Sequence, residues 1–505
     1  MSSTRRIKTV EQSIAETHDE KRSLKRALNT WDLAVMGVAV AVGAGIFSVG
    51  AEASAHHAGP AVIVSFVIAA VVCGLAILCY AEFASSIPVA GSAYTFTYST
   101  LGEFLAWIIG WDLILEMLMA AAVIAKYWGV YLGDTVSLFD LDIPMTVPIG
   151  SLQFEWGPVV IVAIFTLLLA LGTRLSSRVN AVFTTIKVAI VLFVIVVGLF
   201  FINPANFTPF VPPAQPGPAA DSAWTQSFFS LLTGASPQVY GIFGILSGAA
   251  LVFFAFIGFD VVATSAEEAK DPKRTVPRGI LLGLGIVTVL YVLVAITITG
   301  MVSYTELAAL EEPSLASAFE IVGATWAAKI ISIGSLVGLT TVVMVLLLGL
   351  ARIVFAMSRD GLLPRSLSVT DAKRGTPIRI QIIVGVIIAI IAGFTNVQVL
   401  GDMINIGTLS AFVLVSVGVP ILRKSRPDLQ RPFTVPLSPW LPWISAIACF
   451  WLMLNLSTET WLRFVIWLAI GFVIYFGYSR RHSLLGQQLE ADAVTGNRTI
   501  GDQRF

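Results

Sequence analysis

Charge is scarce in this chain. Only 12% of its 505 residues are Asp, Glu, Lys or Arg, about half of the roughly 25% usual in soluble domains. An ordinary water-soluble fold is thereby excluded. Neither sign dominates, since 31 basic and 31 acidic residues cancel, so no polyanionic partner is implied and nucleic acid is set aside. Cysteine is almost missing: Cys73, Cys79 and Cys449 lie in apolar stretches with neither paired nor metal-ligand spacing, which excludes a disulfide framework and a zinc site. Histidine is equally sparse. His18 and His482 fall in polar tails and His56 and His57 at the end of an apolar run, so no catalytic or metal constellation is expected in the apolar interior, and neither an enzyme nor a cofactor.

What the chain has is apolar length. Hydrophobic residues make up 56% of it, and about 20 such residues cross the roughly 30 Å hydrocarbon core of a bilayer. Twelve stretches qualify, near 31–56, 60–84, 104–133, 156–173, 178–203, 239–265, 279–303, 326–356, 377–395, 398–422, 439–456 and 460–478. The lipid bilayer is the expected surrounding. Basic residues orient it: Lys21 to Arg26, Arg174 and Arg178, Lys270 to Arg278, Arg359 to Arg379, Arg423 to Arg431, and Arg480 with Arg481 all fall on one side of a twelve-span count. The positive-inside rule puts that side, with both termini, in the cytoplasm and the protein in the cell membrane. The polar stretch 1–29 lacks the apolar core of a cleavable signal and reads as a tail. Ser92 to Thr100 is expected as a short helix leading into the third span, and Leu307 to Phe319 as a helical cap on the outer side. The Pro-rich 203–238 stretch reads as an extracellular loop. Glu82 and Glu103 sit at inner helix ends, where solvation accounts for them.

Two spans are broken at their middles, the first by Gly43-Ala44-Gly45-Ile46-Phe47 and the sixth by Phe253-Phe254-Ala255-Phe256-Ile257-Gly258-Phe259-Asp260. A helix interrupted inside a bilayer bares backbone groups that lipid cannot satisfy, so it must line a polar cavity. Breaks at corresponding places in two halves of a chain point to a substrate site. A half-helix beginning near Ile46 offers unpaired NH groups that suit a carboxylate, and the carbonyls freed at Ala255, Phe256 and Ile257 suit an ammonium. Together they hold both ends of an amino acid. The plainer reading is close helix packing through small residues; Asp260, an intramembrane acid beside the second break, favours function.

The breaks, with Pro88-Val89-Ala90-Gly91-Ser92-Ala93-Tyr94, Gly110 to Glu116, Glu267 to Pro272 and Ser358 to Pro364, resemble the cationic amino acid transporter family of the amino acid, polyamine and organocation superfamily. The likeness runs from about Leu24 to Ser483. It implies an all-α membrane protein of the LeuT type: an inverted repeat over 30–203 and 239–424 with discontinuous first and sixth helices, an outer loop at 204–238, two peripheral spans at 425–478 and a tail at 479–505. It implies a secondary active amino acid permease, proton-coupled, with Phe254 as a gate; packing in a Phe-rich helix explains Phe254 equally. It also implies that Lys187, some 13 Å along the fifth span at about 1.5 Å per residue, stands where relatives hold sodium. Snorkelling is the alternative. Glu116 is the candidate partner for charge near the site, and Asp112 a structural acceptor one turn away. Leu346 falls where carriers of cationic cargo have a small polar residue, which leans the cargo toward small or medium neutral amino acids, while Glu116 and Asp260 argue for cationic cargo unless Lys187 neutralises one of them. A non-transporting sensor, or an amino acid/polyamine exchanger, stays open.

Overall fold

The computed structural model describes residues 6, 28–43, 45–86, 92–137, 143–150, 152–172, 177–216, 224–234, 236, 238–259, 262, 269–310, 313–371 and 376–495. Its main helices are α1 (Thr30–Ala41), α2 (Val62–Ser86), α3 (Ser92–Thr100), α4 (Glu103–Ser137), α5 (Trp156–Ala170), α6 (Ser177–Gly198) and α7 (Gly241–Val252). They continue as α8 (Pro272–Met301), α9 (Thr325–Arg359), α10 (Ile378–Phe394), α11 (Val397–Ser425), α12 (Trp440–Leu454), α13 (Thr458–Ile474) and α14 (Leu484–Thr495). Among the described residues seven helices are long and apolar enough to cross a membrane, and five shorter apolar ones accompany them, α1, α5, α7, α10 and α12 among these.

The elements begin and end where local chemistry directs. Asn29 and Asp32 form a capping box at the start of α1, satisfying its first NH groups. Pro272 sits at the start of α8, where its missing NH costs nothing. The centre of the bundle is α4, apolar and buried along most of its length and packed against α9 and α11. On one flank α8 packs against α1 and α2, and on another α5 packs against α10.

Helix α13 is bolted to the centre by aromatics. The Trp107 indole donates to Gly471 O at 3.0 Å, Trp111 to Trp467 O at 2.8 Å and Trp467 to Trp111 O at 3.2 Å. The Trp111 and Trp467 rings stack at 4.3 Å. Gly471 admits this only because it has no side chain, since a Cβ there would lie 2.6 Å from the Trp111 ring.

Several expectations change. Glu82 and Glu103 are 1% and 2% exposed, so they are buried rather than solvated. Each is neutralised by partners far along the chain: Arg423 grips Glu82 through two bonds of 2.8 and 2.6 Å, and Val435 N adds a third at 2.7 Å. Two-pronged arginine pairing of this kind is what makes a carboxylate tolerable away from water. Between α4 and α5 the chain makes an antiparallel hairpin of β1 (Thr146–Ile149) and β2 (Leu152–Glu155), which hydropathy gave no sign of. Glu155 at its end pairs with the buried Lys126 of α4. The Pro-rich 203–238 stretch is not wholly irregular. It holds a helix, Phe228–Thr233, and a short pairing of β3 (Gln215–Pro216) with β4 (Gln238–Val239). The expected outer cap is two short helices, Tyr304–Leu307 and Leu315–Ile321, and α3 forms as expected.

Candidate functional site

The two interruptions touch. A Cβ built on Gly45 would lie 2.4 Å from Ala255 Cα and 2.5 Å from Ala255 Cβ, a backbone approach that only glycine allows. Gly258, at φ +113°, has the Val40 side chain 2.4 Å from where its own Cβ would be.

Each break is partly satisfied from within. Past Val42 the NH groups of Ile46 and Phe47 reach back to Gly43 O at 3.2 and 3.4 Å, and the chain resumes as a wide π-type turn over Gly45–Val49. The second half-helix thus starts one residue earlier than expected, and its leading NH groups are lightly held rather than bare. In the other break α7 tightens into a 3-10 turn over Phe253–Phe256 and then extends at Ile257. Ile257 N donates to Phe254 O at 3.1 Å, and the Cys73 thiol lies 3.8 Å from Phe256 O.

Tyr291 of α8 joins the two. Its fully buried hydroxyl lies 2.5 Å from Ala41 O in the first break and 2.9 Å from Ala255 O in the second. One proton serves two carbonyls, and each carbonyl has a second lone pair. In Tyr291→Phe both buried oxygens lose a donor, at a cost of about 1–3 kcal/mol. The expected outcome is a melting temperature lowered by a few degrees together with substrate affinity weakened about tenfold, read from uptake kinetics and a thermal melt of the purified protein.

Between the breaks lies a cavity. Val40, Ala41, Gly43 and Gly45 line it from the first interrupted helix and Phe254, Ile257 and Gly258 from the second; Glu116, Met117, Ala120 and Ile124 come from α4, and Val342 and Leu346 from α9. The space for the centre of a water-sized sphere is about 30 Å³, enough for a water or two. An amino acid needs the walls to part.

Of the residues singled out from the sequence, Gly43, Gly45, Phe254, Ile257, Glu116 and Leu346 are brought together on this wall. Ile46 and Phe47 are buried behind it, Phe47 O accepting from the Tyr131 hydroxyl at 2.8 Å. Ala255 and Phe256 are buried too, the Phe256 ring packed edge-on against Phe66 and Tyr291. Ala44 and Asp260 lie outside the described residues. Asp112 is buried and accepts from Ser410 at 2.6 Å, tying α4 to α11.

Lys187 is 3% exposed and does not reach an aqueous surface. Its Nζ donates to Ala39 O of α1 at 3.0 Å. Its stem lies against Gly338 of α9, where a Cβ would come within 2.9 Å of Lys187 Cγ. It therefore sits between α1 and α9, and its hydrogen bond goes to a carbonyl rather than to Glu116.

Sequence reasoning missed Met117, Ala120, Ile124, Val342 and Tyr291. Ala120 and Ile124 follow Glu116 at successive spacings of four, which share a helix face, a signal that was available once Glu116 was chosen; Met117, the next residue along, carried none. Tyr291 carried no such signal, because one polar aromatic in an apolar helix does not tell which carbonyl it meets.

The sequence matches the amino acid permease family over residues 28–478. It is 42% identical over 489 residues to the branched-chain amino acid permease BcaP of Bacillus subtilis, covering 95% of this chain and 99% of that protein. It is 40% identical to the methylthioribose transporter of the same organism, covering 96% of this chain and 100% of that one. The vacuolar cationic amino acid transporter 4 of Arabidopsis thaliana is 36% identical over 87% of this chain and 69% of its own length.

Proposed function

We propose that this chain, which belongs to the amino acid permease family, is a proton-driven carrier of neutral amino acids with aliphatic side chains, working by alternating access. The observation that carries the cargo class is the cavity wall. Met117, Ala120, Ile124, Val342 and Leu346 make most of the lining apolar, which matches an aliphatic cargo side chain, and Glu116, the acid among the lining residues, is taken up by the cargo's own ammonium rather than left for a guanidinium. Similarity to a branched-chain permease supports the same reading. The cargo's carboxylate replaces the long bonds at Ile46 and Phe47. Its ammonium lies by Ala255 and Ile257, with Glu116 balancing charge, and Phe254 gates the cavity.

In this reading twelve spans form, 30–203 and 239–424 are inverted repeats, and both termini face the cytoplasm from the cell membrane. The basic residues at one end of the helices support that orientation. Lys187 supplies coupling. Protonated, it makes a charge-assisted bond to Ala39 O that holds α1 to α9; deprotonated, the bond weakens and α1 is released.

Proteoliposomes under an imposed pH gradient test this. Labelled leucine uptake should follow the proton gradient and be competed by isoleucine and alanine, but not by arginine or methylthioribose. Arginine competing as well as isoleucine overturns the cargo class. Uptake that follows a sodium gradient instead overturns the coupling. Leu346→Ala should widen the pocket and improve phenylalanine competition by roughly tenfold, the scale on which an apolar pocket discriminates by size.

A further inference from the structure

The end of the bundle that carries the basic residues is tied together by the chain's own termini. Glu103 opens α4, is buried, and accepts hydrogen bonds from four separate segments. Arg6 Nη1 lies at 3.3 Å, the Tyr98 hydroxyl of α3 at 3.2 Å and the Tyr475 hydroxyl at 3.2 Å, and the Ser483 hydroxyl completes the set. Ser483 immediately precedes α14, and its Oγ also accepts from Gly486 N at 3.1 Å, capping that helix. Arg6 donates further to Arg480 O at 2.7 Å and to Glu490 at 3.1 Å.

A second acid, at the foot of α9, meets both α3 and the arm. Asp360 accepts from the Tyr94 hydroxyl of α3 at 2.7 Å, and its backbone carbonyl accepts from Leu484 N at 3.1 Å. Ser479 donates to Leu362 O at 2.6 Å. The fit is flush: Gly361, at φ +80°, has His482 O only 2.3 Å from where a Cβ would stand.

Helix α3 therefore hangs by Tyr98 from the carboxylate that Ser483 also reaches, and by Tyr94 from Asp360, whose backbone carbonyl receives the C-terminal arm. Burial, and after it the neighbouring acids, pushes both phenols well above the ordinary tyrosine range, so both stay protonated and keep donating. A buried carboxylate that loses one of several donors is left under-satisfied, so the segments sharing it tend to leave together.

We propose that the C-terminal arm, residues 479–495, is a strap that holds this end of the carrier closed, and that its release from Glu103 and Asp360 is a step in opening the cavity toward that side.

The test uses the full chain, Ser483→Ala, and a chain ending at Arg481. Two quantities are read: hydrogen exchange of the α3 amides, and modification of a cysteine replacing Met117 in the cavity wall by a membrane-impermeant thiol reagent, with Cys73, Cys79 and Cys449 changed to serine. Both variants should exchange α3 about tenfold faster, the scale of one lost hydrogen bond to a charged group. Labelling should quicken from the basic end and slow from the opposite end, and Ser483→Thr should restore wild-type rates. Unchanged α3 exchange and unchanged access in Ser483→Ala overturn the strap. Faster labelling from both ends also overturns it, because that is general loosening. Should the shortened chain fail to fold, Ser483→Ala decides alone. Exchange needs no cargo, so the outcome is independent of which substrate is carried.

Discussion

Gly45→Ala abolishes substrate binding. The added carbon would sit 2.4 Å from Ala255 Cα, and the obstacle is backbone, not the yielding tip of a side chain. The two breaks must move apart, and overpacking of this kind costs about 1–3 kcal/mol before the site is counted. The site suffers more, because the carboxylate and ammonium positions proposed above belong to opposite breaks and misplacement by about an ångström costs on the order of 100-fold. Binding of labelled leucine to purified protein should fall below detection while the protein stays monodisperse. Gly43→Ala is the control. Its Cβ would meet nothing nearer than the Ile124 side chain at 3.6 Å, ordinary contact distance, so leucine affinity should weaken only a few-fold. Equal effects at the two glycines would mean that the breaks do not cooperate in binding.

Lys187→Met removes accumulation but not exchange. Methionine fills the stem's place beside Gly338 yet has no donor for Ala39 O, so the junction of α1 and α9 loses the bond on which the proposed coupling rests. Uphill uptake under a pH gradient should drop by at least about tenfold, the scale of one lost charge-assisted bond. Leucine counterflow between preloaded and external pools should persist. Full gradient-driven accumulation in the variant would remove Lys187 from coupling and leave it a packing residue.

How much of this was legible in the sequence depended on distance along the chain. The breaks were readable because Gly43, Gly45 and Gly258 stand among apolar residues that would otherwise continue a helix, and only glycine permits φ +113° at Gly258. Lys187 was readable because a lysine so far along an apolar helix is costly. Its partner was not, since Ala39 O is a backbone atom that any residue would present. The burial of Glu82 and Glu103 was misread for the same reason: Arg423 is 341 residues from Glu82 and Ser483 is 380 from Glu103, so neither pairing has a local trace. The hairpin at Thr146–Glu155 was hidden because four-residue strands set between long apolar helices leave no period to detect.

The narrow cavity between the breaks has a consequence for the membrane as an electrical barrier. A gap with room for about 30 Å³ of water centres cannot pass a hydrated ion, so Leu346, Phe254 and Ile124 act as insulation whenever cargo is missing. Enlarging any one of them to polar space should show first as a background current, before any change in which amino acid is carried.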